Sequence, residues 1–196
     1  MTVDFTYADT PWTSQYDPHV PHSLKPYPEH NLIHYLDNIV KKSPDNTALI
    51  TTAKLPIVGR MSSSINYREL ARFSDALAAG LIDMGLKKGD RVAIIMPNCT
   101  AFAISYYGIL KTGGVVAATN PTYPPKKMAY QIDDCGANIV ITLSLFYNML
   151  KTIQPETKAS KIIVTNIKEY MPGLAKVLFT LAREKKDGHR VTLQDG

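Results

Sequence analysis

Between Asn66 and Thr142 the chain alternates helix and strand signals at short intervals, and that alternation leaves few folds open. Asn66 with Glu69 three residues later has the spacing of a capping box. Leu70, Phe73, Leu77, Leu81 and Met84 then recur as a helical stripe, and Gly85 suits a left-handed stop. Gly89-Asp90 turns the chain into Arg91–Met96, which is too apolar for a half-exposed strand. It predicts a strand covered on both faces, as in a parallel sheet. Pro97-Asn98-Cys99-Thr100 breaks that strand. Ala101–Lys111 is apolar nearly all round, which predicts a buried helix ended by Gly113. Val115–Ala118 reads as the next strand, Asn120–Pro125 as a loop, and Pro125 as a first-turn helical residue. Met128, Ile132 and Cys135 share one helical face, Gly136 closes that helix, and Asn138–Thr142 is a further strand.

The pattern continues with a helix near Leu145–Ile153, a strand at Lys161–Thr165 and a last helix over Pro172–Lys186. Strand–helix–strand repeats of this kind predict an α/β fold, a doubly wound, mostly parallel sheet with flanking helices. Upstream, residues 31–42 read as a helix with Leu32, Leu36, Ile39 and Val40 on one side. Ala48–Thr51 and Ser63–Asn66 look like short strands around a hairpin-like excursion containing Pro56 and Gly59. Residues 1–30 form a proline-rich arm. Pro11, Pro18, Pro21, Pro26 and Pro28 exclude a long helix or central strand there, and Trp12, Tyr16 and Tyr27 are spaced as anchors. The expected organisation is an arm, 1–30, followed by an α/β domain, 31–196.

The net charge of +5 is mild, and the aromatic signatures of nucleic-acid modules are missing, so no nucleic-acid partner is expected. The N-terminus carries Asp4 and Asp9 without an apolar core run, which does not fit a signal peptide. No apolar run approaches the roughly 20 residues of a membrane span. Cys99 and Cys135 are expected free, in a reducing cytoplasmic compartment.

Residues with chemical potential are few. No glycine-rich phosphate loop of the dinucleotide or P-loop kind occurs. Lys111-Thr112-Gly113-Gly114 lies at a helix C-terminus, whose partial negative charge disfavours phosphate. Ser62-Ser63-Ser64 reads as a loop rather than a phosphate cradle. His19, His22, His30 and His34 crowd the arm and first helix without a cysteine or acidic partner set, so no metal site is expected. Asp133-Asp134 reads as a solvated face, and no Ser–His–Asp set can be assembled. Asn98 follows a strand C-terminus, where ligands of open sheets bind, but it equally suits a helix cap. Whether Asn98, Tyr106 or Asn120 reaches a pocket is left open, and no catalytic residue is assigned.

Several short segments nevertheless resemble one family. Ile65-Asn66-Tyr67-Arg68-Glu69-Leu70 resembles the first shared motif of the acyl-adenylate-forming, AMP-binding superfamily. Gly89–Ala93 with Met96-Pro97-Asn98 is similar to the strand and turn that follow it. Gly108–Gly113 and Asn120-Pro121 resemble the second motif, with Thr112 where many members have alanine. Pro11-Trp12, Val20-Pro21 and the segment Glu169–Val191 resemble the long-chain fatty acid–CoA ligases within it. The resemblance implies an enzyme that converts a fatty acid and ATP to an acyl-adenylate, then to the coenzyme A thioester, with magnesium. It implies a serine-, threonine- and glycine-rich phosphate loop, a ribose-binding aspartate, a hinge and a lysine on a mobile C-terminal domain. None of these has a counterpart in these 196 residues, so the expectation is an incomplete N-terminal domain, inactive alone. The other reading is a complete, non-enzymatic flavodoxin-like module.

Two surface expectations remain. Leu174, Val177, Leu178 and Leu181, widened by Phe179 and Ala182, form an apolar stripe beside Lys176, Arg183, Lys185 and Lys186. The stripe is expected to pack on the sheet. A peripheral membrane contact is the alternative. Exposed apolar surface predicts self-association.

Overall fold

The computed structural model describes residues 6–55 and 59–191. The chain falls into two compact units, Met1–Asn31 and Leu32–Gly196. In the first, Tyr7–Asp9 and Pro11–Gln15 are short 3-10 turns. Trp12 meets the ring of Tyr7 edge-on at 5.4 Å, and Tyr16 meets His22 at 6.1 Å.

The second unit begins with α1 (Leu32–Lys42), followed by β1 (Thr47–Leu55) and β2 (Gly59–Asn66). These two strands pair antiparallel, from Thr47 opposite Asn66 to Leu55 opposite Gly59, and make a separate two-stranded sheet. The strands are longer than the sequence signal: the strand expected at Ser63–Asn66 begins at Gly59, so the whole Ser62–Ser64 run, also read as a loop, lies inside β2. Serine has low strand propensity, but cross-strand pairing with Thr52, Thr51 and Ile50 overrides it. Pro56, expected in the excursion, lies outside the described residues.

Asn66 caps α2 (Tyr67–Asp83) with the expected reciprocal pair. Its side chain accepts from the Glu69 amide at 2.8 Å, and the Glu69 carboxylate accepts from the Asn66 amide at 2.9 Å. Gly85, at φ +95°, ends the helix where a left-handed residue is required. Met84 does not continue the stripe: it lies past the helix and is exposed.

Then come β3 (Arg91–Ile95), α3 (Thr100–Lys111), β4 (Val115–Ala118), α4 (Pro125–Cys135), β5 (Ile139–Leu143), α5 (Ser144–Ile153), β6 (Lys161–Thr165) and α6 (Gly173–Ala182). The last four strands form one parallel sheet in the order β4-β3-β5-β6. The chain therefore winds outward from β3 to β4, then crosses back to lay β5 on the other side of β3. That reversal puts helices on both faces. Val92 and Ile94 pack with Leu81 of α2 and Ala101 and Ile109 of α3. Ala93, Ile95 and Val140 pack with Met128 and Ile132 of α4 and Leu150 and Ile153 of α5. Val92 through Ile95 are fully buried, which is why this strand carries no polar alternation. Burying each such aliphatic side chain contributes about 1.5–3 kcal/mol.

Helix α3 has no exposed residue. Ala101 and Ile109 face the sheet, whereas Ile104 packs with Leu36 of α1 and Leu70 of α2. Gly108 sets the approach of α2: a Cβ there would lie 2.9 Å from Leu77 Cδ2 and 3.1 Å from Leu77 Cγ. Replacing Gly108 by valine is expected to cost about 1–3 kcal/mol through overpacking. Urea denaturation should show a lower midpoint with an unchanged slope. A midpoint at or above that of the parent would mean that the α2–α3 contact is not tight.

Candidate functional site

The order in which the chain adds strands reverses between β3 and β5, and ligands of open α/β sheets bind beyond the strand C-termini at such a point. Thr142, fully buried on β5, fixes the two strands there by donating its hydroxyl to the Ile95 carbonyl at 2.8 Å. Beyond the end of β3 lies a cavity of about 440 Å³, within the usual range for small-molecule sites. Its walls are Leu49–Thr52 of β1, Asn98–Ala103 at the start of α3, and Ile167 and Tyr170 after β6.

Three contacts hold these walls. The Thr51 and Thr100 hydroxyls share a hydrogen bond of 2.7 Å. Ser63 donates its hydroxyl to the Tyr170 carbonyl. The Tyr170 ring meets Phe73 edge-on at 6.3 Å. Among the described residues, no charged side chain lines the cavity. It therefore suits an apolar or neutral group better than a polyphosphate.

Asn98 lines the cavity but does not cap α3. The cap residue is Cys99, which makes no side-chain capping bond. Tyr106 instead stacks on Phe102 at 6.3 Å and packs against the core. The Asn120 side chain accepts from the amide and hydroxyl of Thr122 and so folds its own loop. Neither lines the cavity. Burial pushes the Cys99 thiol above its ordinary range, outweighing the Phe102 and Ala101 amides, and keeps it protonated at neutral pH. The Tyr170 hydroxyl is raised chiefly by burial, with Glu169 adding to it.

The lysine- and glycine-containing segment at the end of α3 is not placed as a phosphate seat. Lys111-Thr112-Gly113-Gly114 sits at the C-terminus of α3, and the Lys111 ammonium is already held by Asp75 at 2.7 Å and the Ala71 carbonyl at 3.1 Å. Among the described residues no three histidine, cysteine or acidic side chains converge to hold a metal.

One cluster was missed by the sequence reading. Ser144 Oγ lies 3.3 Å from His189 Nδ1, although 45 residues separate them. Asn166 donates to the Glu184 carboxylate at 3.0 Å and to the His189 carbonyl at 3.3 Å, and Lys168 pairs with Glu184 at 2.6 Å. The rings of Phe179 and His189 meet edge-on at 5.3 Å. Ser144, Glu184 and His189 are all buried. The cluster clamps the chain after α6 onto the ends of β5 and β6. No local signal announces it, because the pairing depends entirely on the tertiary crossover.

A parallel sheet with a switch point, capped α2 and a neutral cavity beyond β3 define an α/β crossover domain. Residues 36–190 match the family described as AMP-binding enzyme, and the chain belongs to that family. It is 33% identical over 179 residues to a long-chain-fatty-acid–CoA ligase of Bacillus subtilis, covering 91% of this chain and 30% of that protein. It is 31% identical over 157 residues to one of Escherichia coli, covering 80% of this chain and 26% of the relative. Among solved structures it is similar in fold to a long-chain-fatty-acid–CoA ligase of Archaeoglobus fulgidus, with a TM-score of 0.64 at 24% identity, covering 71% of this chain and 28% of the other. The N-terminal domain of FACL13 from Mycobacterium tuberculosis gives 0.60 at 23% identity, covering 69% and 34%. The chain thus spans less than a third of the curated relatives it matches.

Two outcomes follow from the ionisation states. Cys99 should react with iodoacetamide at pH 7.5 more slowly than a free thiol, measured by mass spectrometry of the modified peptide. Alkylation at the free-thiol rate would contradict its burial. Burial also holds the folded-state His189 pKa below its ordinary 6.5, with Asp187 and Glu184 opposing but not cancelling the effect. The unfolded chain then binds more protons, so the contribution of His189 is complete above about pH 6.5 and fades as pH falls through the lowered folded value. Thermal midpoints should drop between pH 7.5 and 5.5, and His189→Gln should lessen that drop. An equal drop in the variant would place the titration elsewhere.

Proposed function

We propose that these residues form the N-terminal scaffold of an AMP-forming ligase that joins a long-chain fatty acid to coenzyme A. The reaction is carboxylate plus ATP to acyl-adenylate and pyrophosphate, followed by attack of the coenzyme A thiol to release AMP. The observation that carries this reading is the match across 91% of the chain to a relative of that name, on top of the family match. Fatty acid, ATP, magnesium and coenzyme A are the substrates and cofactors of the parent enzyme under this reading.

Within it, residues 32–191 position rather than react. The protonated Cys99 thiol and the paired Thr51 and Thr100 hydroxyls offer no activated nucleophile. The 196-residue polypeptide alone is therefore expected to be inactive. Fatty-acid-dependent ATP–pyrophosphate exchange is the measurement that checks it. The expected result is background exchange for this polypeptide, and magnesium-dependent exchange when the same residues are joined to the remainder of a ligase of this family. Exchange by the 196-residue chain alone would overturn the scaffold reading. Its absence in the joined protein would overturn the ligase reading.

A further inference from the structure

The cavity beyond β3 is walled by three parts of the chain that come from different layers. They are β1 of the two-stranded sheet, the first turn of α3, and the 3-10 turn Ile167–Tyr170 after β6. Thr100 and Ala101 are buried and form its floor, whereas Ile50, Thr52 and Asn98 are exposed and mark its mouth. Leu49, Phe102 and Ile167 add apolar wall between the two.

The hydrogen-bonding groups of this lining divide into two kinds. The Thr51 and Thr100 hydroxyls are engaged with each other at 2.7 Å, and the Cys99 thiol donates to the Met96 sulfur at 3.8 Å. The Asn98 amide and the Tyr170 hydroxyl make no hydrogen bond with any described residue. Asn98 is left free because Cys99 takes the cap position of α3. Tyr170 is held by its other atoms: its carbonyl accepts from Ser63 and its ring meets Phe73. Burial is the main cause that raises the Tyr170 hydroxyl, but Glu169 and Cys99 contribute, so the Cys99 thiol and this hydroxyl lie within electrostatic reach of each other. A half-buried phenol without a partner gains from any ligand group that bonds to it.

Charge decides which ligand fits. Among the described residues no lysine, arginine or histidine lines the cavity, and Glu169, next to Tyr170, is already paired with Lys176 at 2.8 Å. A carboxylate or phosphate seated there would lose its water without a cation to replace it. An uncharged molecule keeps its apolar body against Leu49, Phe102 and Ile167 at no such cost. Asn98 and Tyr170 each both donate and accept, which matches the one donor and two acceptor sites of a hydroxyl.

We propose that the cavity is a binding site for an uncharged amphiphile, a molecule with an apolar body and a single hydroxyl. The hydroxyl bonds to Asn98 and Tyr170, and the body fills the space above Thr100 and Ala101. Because the walls come from both the β1–β2 hairpin and the parallel-sheet layer, a bound molecule ties the two together and stabilises the folded chain. The inference stands apart from the ligase reading, since no step of that reaction is assigned to the cavity.

Titration of the 196-residue chain with 2-naphthalenemethanol, set against 2-naphthoate as the anion of similar shape, tests it. The alcohol is expected to raise the thermal midpoint, to slow iodoacetamide labelling of Cys99, and to bind at least about tenfold more tightly than naphthoate. Tyr170→Phe keeps the ring contact and the carbonyl, and Asn98→Ala removes no helix cap. Each should weaken the alcohol by roughly three- to tenfold, the scale of one hydrogen bond, and leave the midpoint of the unliganded chain unchanged. Asn98→Lys supplies a cation at the mouth and should bring naphthoate at least level with the alcohol. Naphthoate binding the parent chain as tightly as the alcohol would overturn the proposal. So would alcohol binding unaffected by both Tyr170→Phe and Asn98→Ala, a thermal shift without protection of Cys99, or no binding up to the solubility limit of the alcohol. Each of these outcomes leaves the ATP–pyrophosphate exchange result untouched, so the two readings fail separately.

Discussion

Helix α3 must lose water on both flanks, and the rest of the domain is arranged to let it. One flank presents Ala101 and Ile109 to the sheet, and the other presents Ile104 to Leu36 and Leu70. A helix apolar on every side has no face left for solvent, so the sheet and the α1–α2 pair are held at a defined separation across it. Gly108 closes the gap to Leu77, and Lys111 ties the far end to α2 through Asp75 and the Ala71 carbonyl. The N-terminus of α3 consequently stands at the end of β3, where Asn98–Ala103 form one wall of the cavity.

That wall explains why the best candidate site is quiet chemically. The residues delivered to it are threonines bonded to each other, a protonated cysteine and aromatic or aliphatic side chains. Such a lining can hold and orient a neutral group. Membership in the AMP-binding enzyme family accounts for a domain of this shape, and a scaffold contributing walls rather than reactive groups is consistent with a chain that spans less than a third of its relatives.

Parts of the fold were legible because the interactions that specify them are local. The Asn66–Glu69 cap, the left-handed turns at Gly85 and Gly136, and proline at the start of α4 all involve residues within one helical turn of each other. Gly136 also shows the limit of that reading. Its position is constrained from 45 residues away, since Arg91 donates to the Cys135 carbonyl at 2.9 Å and its guanidinium would lie 2.9 Å from any Cβ there. The sequence signal placed a strand only at Ser63–Asn66 and read the serine run as a loop as well, because the extent of β2 rests on cross-strand partners and on Tyr170, which no local window contains.

By itself the sequence determined the kind and order of the elements from α1 to α6, the double burial of β3 and the family to which the chain belongs. Those features follow from periodicity, from composition along a single element and from short motifs. Only the tertiary structure decided that β5 lies beside β3, that Ser144 meets His189, that Asn98 opens to a cavity while Cys99 takes the cap position, and that α6 turns Leu174, Val177 and Leu181 to solvent. A stripe of leucines states that a face is apolar. Which face is covered is set by the partner that reaches it, and for α6 that partner met Ala175 and Phe179 on the other side.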